Sequence, residues 1–116
     1  MPRSKNSQLA PWQVWWADFT APAGREQAGR RPAIVVGSAL ACSLPNGLAV
    51  VVPCTGVDRG LPYQPAVRLS GRTSFAMCDQ IRALRRDRLV QRHQATLTTE
   101  DIEEIRFALA QIIQVR

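Results

Sequence analysis

Three arginines and a hydrogen-bonding pair stand just before an apolar segment, where they could act on an anionic substrate. The segment of residues 24–32 carries these arginines with Glu26 and Gln27, and it ends in Arg31 and Pro32. Because proline biases the preceding residue towards extended backbone, Arg31 is held at a loop–strand junction. A guanidinium group held there can bind two phosphate oxygens at once. The segment therefore predicts a phosphate-binding site, with a solubilising loop as the alternative.

A second candidate is Thr55, which follows the apolar run of residues 48–54. A hydroxyl group at the end of a strand can face a cleft and hydrogen-bond a phosphate oxygen. It can also bond the local backbone, which is the commoner role for a threonine in that position. The residues alone leave both roles of Thr55 open.

The sequence lacks the residues that several other catalytic mechanisms require. His93 is the single histidine of the chain, so two histidines cannot share the acid and base roles, and we expect His93 to be exposed on a strand face. The acidic residues show no metal-ligand spacing. Neither a phosphate-cradling glycine loop nor a Gly-x-Ser-x-Gly elbow occurs. The sequence therefore predicts neither a metal site nor a cofactor.

The charge distribution favours an anionic partner. The net charge is +6, and almost all basic residues are arginine. Residues 98–116 hold two basic and four acidic side chains, whereas the remainder holds thirteen basic and five acidic ones. A basic body favours nucleic acid as the partner. A basic surface that serves solubility alone is the alternative.

Cysteine usage and the N-terminus indicate the compartment. Cys42, Cys54 and Cys78 are widely spaced beside apolar residues, so we expect buried, reduced thiols and a cytoplasmic location. The polar N-terminus does not resemble a signal peptide, and no apolar run approaches the length of a membrane span. We therefore expect a protein that does not contact membranes.

Five or six short strands and one helix would have to position these residues. Strands are predicted at residues 14–19, 32–37, 48–54, 66–69, 73–78 and 89–97. Residues 39–47 are predicted to form a loop, and residues 79–88 an irregular charged segment that can hold one short helical turn. A helix is predicted after its cap Thr98, with Ile102, Ile105, Leu109, Ile112 and Ile113 on one face.

This pattern predicts an α+β fold with a small, strongly bent sheet or barrel and a C-terminal helix. Residues 1–10 are predicted to form a flexible N-terminal extension, and residues 11–116 a single domain.

Four segments together resemble the MazF/PemK family of toxin endoribonucleases. They are Val-Trp-Trp-Ala-Asp-Phe at 14–19, Gly-Arg-Glu-Gln-Ala-Gly-Arg-Arg-Pro-Ala-Ile-Val-Val at 24–36, Val-Val-Pro-Cys-Thr at 51–55 with Gly-Leu-Pro at 60–62, and Cys-Asp-Gln-Ile-Arg at 78–82. The segments follow the family's order, and the resemblance spans roughly residues 12–115. It implies an SH3-like β-barrel, the CcdB/MazF/PemK-like toxin fold, commonly assembled as a homodimer.

For the site, the resemblance implies metal-independent cleavage of single-stranded RNA, such as mRNA, at short sequences. It places the catalytic arginine at Arg31 and the catalytic threonine at Thr55. The neighbouring 2′-hydroxyl would attack the phosphate, leaving 2′,3′-cyclic phosphate and 5′-hydroxyl ends. The general base stays open, because arginine ordinarily keeps its proton. Glu26 and Gln27 are candidate supporting residues, and bracing of the loop is an equally good reading of Glu26. The candidate RNA contacts are Arg25, Arg30, Arg59, Gln80 and Arg82.

The sequence departs from the family pattern at two places. Trp12 and Gln13 stand where Gly-Asp is usual, and Arg25 stands where a small residue is usual. Trp12 could stack on a base and Arg25 could bind a phosphate, but Trp12 could instead cover the core.

A partner and two rival functions follow from the resemblance. Because a free ribonuclease harms its own cell, we expect an acidic, partly disordered antitoxin similar to MazE. One rival is a toxin that resembles the CcdB gyrase poisons on the same fold. The other is a basic module that binds RNA without cutting it.

Overall fold

Short antiparallel strands make up most of the chain that the computed structural model describes, residues 9–20 and 29–115. The strands are β1 (Val14–Asp18), β2 (Arg30–Val35), β3 (Leu48–Thr55), β4 (Ala66–Leu69), β5 (Arg72–Ala76), β6 (Arg82–Arg85) and β7 (Leu89–Arg92). The α-helices are α1 (Ala39–Ser43) and α2 (Thr99–Ile112). In the described ranges, no helix has the length and apolarity needed to cross a membrane.

The strand β3 connects the two parts of the sheet. The strand order is β4-β5-β3-β2-β1-β7, and β6 also pairs with β3. Because β3 is long, its beginning can pair with β6 and its end with β5, while β2 pairs with its central residues. The order ends at β4 and β7, so the sheet is barrel-like without being closed. This arrangement with a C-terminal helix confirms the predicted α+β fold class.

Apolar side chains cover both faces of the central strands. On one face, Val14 and Ile34 pack with Ile105 of α2 in a group that we call the α2 cluster. On the other face, Val51 packs with Cys42 of α1 in the α1 cluster. Successive strand residues point to opposite faces, so a slip of one residue would exchange the two sets. Burial on both faces therefore fixes the register of the strands.

Two residues near the described N-terminal end also pack on these clusters. Leu9, which lies within the segment predicted to be an extension, is buried in the α1 cluster. Trp12 packs against the α2 cluster, and its backbone has a left-handed φ of 71°. Its amide donates to the carbonyl of Val35 at 2.7 Å. This position supports the interpretation that Trp12 covers the core.

Helix α2 begins where the sequence predicts. The Thr98 hydroxyl accepts from the Asp101 amide at 3.0 Å, and the Asp101 carboxylate accepts from the Thr98 amide at 3.2 Å. This reciprocal pair is a capping box, which satisfies two amides at the start of the helix. Ile105 is fully buried, whereas Ile112 and Ile113 remain 40% and 39% exposed. The predicted apolar face therefore packs along the helix but not at its end.

The predictions for residues 39–47 and 79–88 are wrong in part. Residues 39–47 contain α1, whose Ser38 cap accepts from the Ala41 amide at 3.1 Å. A helix of five residues is too short to show a periodic pattern. Residues 79–88 contain β6 between two 3-10 turns. This strand escaped detection because it is rich in arginine and Leu84 is its one half-buried residue.

The prediction that His93 is exposed is also wrong. The strand β7 ends at Arg92, and His93 turns into the protein, where its ring stacks on Trp16 with centroids 4.8 Å apart. Its Nδ1 accepts from the Ala95 amide at 3.0 Å. Burial lowers the pKa of His93 below the ordinary value of 6.5. A neutral ring fills this position because its partners are an aromatic ring and a backbone amide.

Candidate active site

Arg31 near the beginning of β2 and Thr55 at the end of β3 lie at the same end of two paired strands. The pairing of these strands runs from Val35 opposite Val51 to Ala33 opposite Pro53, and Thr55 itself pairs with Phe75 of β5. Because side chains alternate along a strand, Arg31 points to the face of Ala33, and Thr55 points to the face of Pro53 opposite it. The two residues that the sequence singled out for catalysis therefore share the face of the sheet that carries the α1 cluster.

The hydroxyl group of Thr55 accepts a local hydrogen bond. Thr55 ends β3, is 8% exposed, and its Oγ1 accepts from the Val57 amide at 3.2 Å. The backbone-bonding role left open by the sequence is therefore present. A hydroxyl group that accepts such a bond still has its own hydrogen to donate. The local bond orients Thr55 without using up its capacity to bind a phosphate oxygen.

Arg31 lies at the beginning of β2, with Arg30 beside it on the opposite face. The pairing with β1 sets Arg31 opposite Ala17 and Arg30 opposite Asp18. Because side chains alternate along a strand, Arg30 does not share the face of Arg31 and Thr55. Of these two neighbouring arginines, Arg31 is the one on the same face of the sheet as the threonine.

Arg59 and Gln80 are joined to the end of β3 through Met77. The Met77 amide donates to the carbonyl of Pro53 at 2.9 Å, and the Gln80 amide donates to the carbonyl of Met77 at 2.9 Å. A guanidinium nitrogen of Arg59 lies 3.4 Å from the Met77 sulfur. Both Arg59 and Gln80 are exposed. The structure thus brings these two predicted RNA contacts near the strand end that carries Thr55.

Arg82 forms a cation–π contact with Phe19, a residue that the sequence analysis did not select. The guanidinium carbon lies 5.1 Å from the ring centroid. Arg82 pairs opposite Val51, which places it on the same face as Arg31. An open groove of about 250 Å³ surrounds the contact and is lined by Asp18, Phe19, Thr20, Arg82, Ala83, Leu84, Arg85 and Arg88. The sequence feature that could have pointed to this groove is Phe19, the aromatic residue directly after β1.

Arg25, Glu26 and Gln27, which the sequence also singled out, lie outside the described residues. Where the described chain resumes, the Phe19 amide donates to the carbonyl of Gly29 at 3.0 Å. This bond joins the two described ends of the β1–β2 connection. We call these ends, residues 18–20 and 29–30, the stem of the connection.

The carboxyl group of Asp18 stays ionised beside the groove. Hydrogen bonds from Thr20 are the main cause that lowers the pKa of Asp18, and the nearby Arg88 and Arg30 lower it further. A carboxylate with a lowered pKa binds a proton weakly. Asp18 is therefore a poor candidate for a general base near neutral pH.

The thiols of Cys54 and Cys78 are unreactive because they stay protonated. Burial raises the pKa of Cys54, which precedes Thr55, and of Cys78 to about 12 each. Because the thiolate is the nucleophilic form, neither residue is a candidate nucleophile. Within residues 9–20 and 29–115, no group of three or more histidine, cysteine or acidic side chains could hold a metal ion.

The fold is shared with solved structures of MazF toxins. MazF from Deinococcus radiodurans superimposes with a TM-score of 0.73 at 27% identity, covering 90% of this chain and 94% of that one. A MazE–MazF structure from the same organism gives a TM-score of 0.72 at 30% identity, with the same coverage.

Residues 10–113 match the family described as PemK-like, MazF-like toxin of type II toxin–antitoxin system. The chain belongs to this family. The endoribonuclease toxin MazF of Escherichia coli strain K12 is 35% identical over 69 residues. That match covers 60% of this chain and spans 61% of the length of the relative.

Proposed function

We propose that this toxin is a metal-independent endoribonuclease that cleaves single-stranded RNA, such as mRNA, at short sequences. The observation that carries the proposal is the pairing of β2 with β3, in which Arg31 and Thr55 lie at the same end of the two strands and, by the alternation of side chains, on one face. Membership of a family with relatives named endoribonuclease supports it.

In the proposed reaction, the 2′-oxygen next to the cleaved linkage attacks the phosphorus, and the bond from phosphorus to the 5′-oxygen breaks. The 2′-hydroxyl loses its proton and the leaving 5′-oxygen gains one. The products carry a 2′,3′-cyclic phosphate and a 5′-hydroxyl end. Arg31 binds the non-bridging oxygens as negative charge grows on them, and Thr55 donates its hydroxyl hydrogen to one of these oxygens.

Glu26 is our candidate for the residue that moves the proton, with Gln27 as a hydrogen-bonding helper. Two other titratable groups are poorer candidates. Asp18 has a lowered pKa, and His93 is buried against Trp16, which lies on the face opposite to Arg31. Glu26 belongs to the connection that leads directly into Arg31.

The proposed substrate surface is basic and carries one aromatic ring. Arg59, Gln80 and Arg82 extend it away from Thr55, and Phe19 offers a face for a base. Arg25 and Arg30 are the remaining proposed phosphate contacts, and Arg30 would bind a phosphate outside the face that carries Arg31 and Thr55. A base can stack on an aromatic ring only when it is not paired within a duplex, which favours single-stranded RNA as the substrate.

We propose three further properties of the toxin. Its neutralising partner is an acidic antitoxin similar to MazE, as the basic body and the MazE–MazF structure suggest. It forms a homodimer, for which exposed apolar residues such as Phe107 at 66% and Val115 at 81% offer surface. It works in the cytoplasm, where its three free cysteines stay reduced and mRNA is present.

The test incubates the purified chain with a long single-stranded RNA in the presence of EDTA. Wild type should produce fragments with 5′-hydroxyl ends. Arg31→Ala and Thr55→Ala should each lose about 10²-fold or more in rate, the effect of removing one oxyanion donor. Thr55→Ser should recover activity, because it keeps the hydroxyl group.

Arg106→Ala is the matched control, because this exposed arginine lies on α2 away from the site. Intact RNA with the wild type overturns the proposal. If DNA supercoiling by gyrase is then inhibited, the chain acts as the CcdB-like toxins do. If RNA is bound but not cut, the chain is a passive binding module.

A further inference from the structure

We propose that Arg88 is a positioning residue for cleavage, because it fixes the stem of the β1–β2 connection that leads into Arg31. This inference rests on the proposed ribonuclease function. Arg88 would act through the backbone and would not need to contact the cleaved phosphate.

Arg88 donates hydrogen bonds to two main-chain carbonyls of the stem. Its Nη1 lies 3.0 Å from the carbonyl oxygen of Thr20 and 3.3 Å from that of Asp18. Arg88 ends the 3-10 turn before β7, and its side chain reaches β1 across a gap of about seventy residues in sequence. A charged donor makes each of these bonds stronger than a neutral donor would.

The stem itself is a closed unit. The Phe19 amide donates to the carbonyl of Gly29 at 3.0 Å, and the Thr20 amide donates to the Asp18 carboxylate at 2.9 Å. The pairing of β1 with β2 continues from this closure to Arg31. A displacement of the stem is therefore passed directly to the backbone of Arg31.

The surroundings of Arg88 indicate that its side chain positions the stem and contributes little to the stability of the core. It lines the open groove with Arg82 and Arg85, so water could replace it as the donor to the two carbonyls. The stem bonds are what distinguish Arg88, because Arg85 instead pairs with Asp87 at 2.6 Å.

The test compares Arg88→Met, Arg88→Lys and Arg85→Met with the wild type in steady-state cleavage of one short RNA. Arg88→Met should lower kcat by roughly ten- to a hundredfold with little change in KM, because a small misplacement of a catalytic group is costly. Arg88→Lys keeps a charged donor and should restore most of kcat. Arg85→Met removes a charge from the same groove and should change KM rather than kcat.

Amide hydrogen exchange of Phe19 and Thr20 gives a second measurement that does not depend on activity. Both amides should exchange faster in Arg88→Met than in Arg85→Met, with thermal unfolding monitored to show that each variant is folded. If Arg88→Met does not fold, Arg88→Gln replaces it in both measurements.

An Arg88 variant with wild-type kcat, or with the KM effect of Arg85→Met alone, overturns the inference. Unchanged exchange at Phe19 and Thr20 overturns it as well. Wild type that fails to cut RNA defeats the proposed function instead, and the exchange data then still decide whether Arg88 holds the stem.

Discussion

At the scale of single residues, the proposed site depends on residues that are held by their chain neighbours and still have a hydrogen-bond donor to offer to a substrate. Thr55 accepts from the Val57 amide and still has a hydrogen to donate. Arg31 gains its extended backbone from the proline that follows it. The Thr55 hydroxyl and the Arg31 backbone are therefore set by their own chain neighbours, which would reduce the entropy lost on positioning the proposed RNA substrate.

His93 gives a prediction at this scale about stability and pH. Its folded pKa is lowered by burial, so between that value and about 6.5 the unfolded chain binds more protons than the folded one. The stability that it contributes is present above pH 6.5 and is lost as the pH falls towards the folded pKa.

The free energy of unfolding in urea checks this at about pH 7.5 and about pH 5.5, for wild type and His93→Gln. The loss on acidification should be smaller in the variant, which has no imidazole to protonate. An equal loss in both proteins would show that His93 does not carry the effect.

At the scale of elements, hydrogen bonds from Arg86 link the end of α1 to the start of β3. Its Nε donates to the carbonyl of Leu48 at 2.8 Å, and its Nη2 donates to the carbonyls of Cys42 at 2.7 Å and Leu44 at 3.2 Å. These carbonyls lie at the end of a helix and at the start of a strand. The last carbonyls of a helix have no donor within the helix and need one from elsewhere. A helix of only five residues depends on such an external partner.

Replacing Arg86 should therefore destabilise the protein more than replacing its neighbour. Arg86→Ala should lower the free energy of unfolding by about 1.5–3 kcal/mol, the range for hydrogen bonds from a charged group. Arg85→Ala removes an ion pair between two exposed side chains, which solvent screens, and should cost much less than Arg86→Ala. Urea unfolding of both variants measures the difference, and similar losses would refute the role given to Arg86.

The capping box of α2 gives a second prediction at this scale. Thr98→Ala removes the hydroxyl group that accepts from the Asp101 amide and should cost about 1 kcal/mol. Thr99→Ala changes an exposed residue inside the first turn and should have almost no effect. Thermal unfolding of the two variants separates capping from a general effect of losing threonine. The capping account fails if both variants melt alike.

The sequence predicted those elements whose pattern is local. The apolar runs around Ile34 and Val51 predicted β2 and β3, and Thr98 predicted the start of α2. The strand β6 was missed because two of its four residues are arginine, and α1 was missed because it is one short turn. His93 was misplaced because its burial depends on Trp16, seventy-seven positions earlier in the chain, and such a contact leaves no trace in local spacing.

The site was predictable in part for the same reason. The segments around Arg31 and Thr55 marked both residues, but their position at one end and on one face of the sheet depends on the pairing of two strands separated by a helix and a loop. Arg88 could not be selected, because its acceptors are main-chain carbonyls, which every residue possesses. Phe19 became significant only once Arg82 was found over its ring.

At the scale of the whole molecule, charge is divided between a basic body and an acidic start of α2. Glu100 and Asp101 lie in the first turn of α2, whereas arginines line the groove beside Phe19. Binding of RNA to such a body releases counterions, so affinity should fall steeply with salt.

Arg82→Ala should reduce that salt dependence. In a Thr55→Ala background, which prevents cleavage, the slope of log affinity against log salt should become shallower by about 0.7 for each lost phosphate contact to a single strand. Arg106→Ala, on α2, should leave the slope unchanged. Fluorescence anisotropy with a labelled RNA measures both, and an unchanged slope for Arg82→Ala would remove it from the proposed RNA surface.

The central claim is that the RNA supplies its own nucleophile, with Arg31 and Thr55 stabilising the reacting phosphate. The most direct measurement uses a short RNA that the wild type cuts at one mapped linkage, and replaces the single 2′-hydroxyl next to that linkage by hydrogen. Cleavage at this linkage should disappear while binding remains, and the unmodified RNA should yield 2′,3′-cyclic phosphate and 5′-hydroxyl ends. If the modified RNA is cut at the same linkage, the 2′-hydroxyl is not the nucleophile.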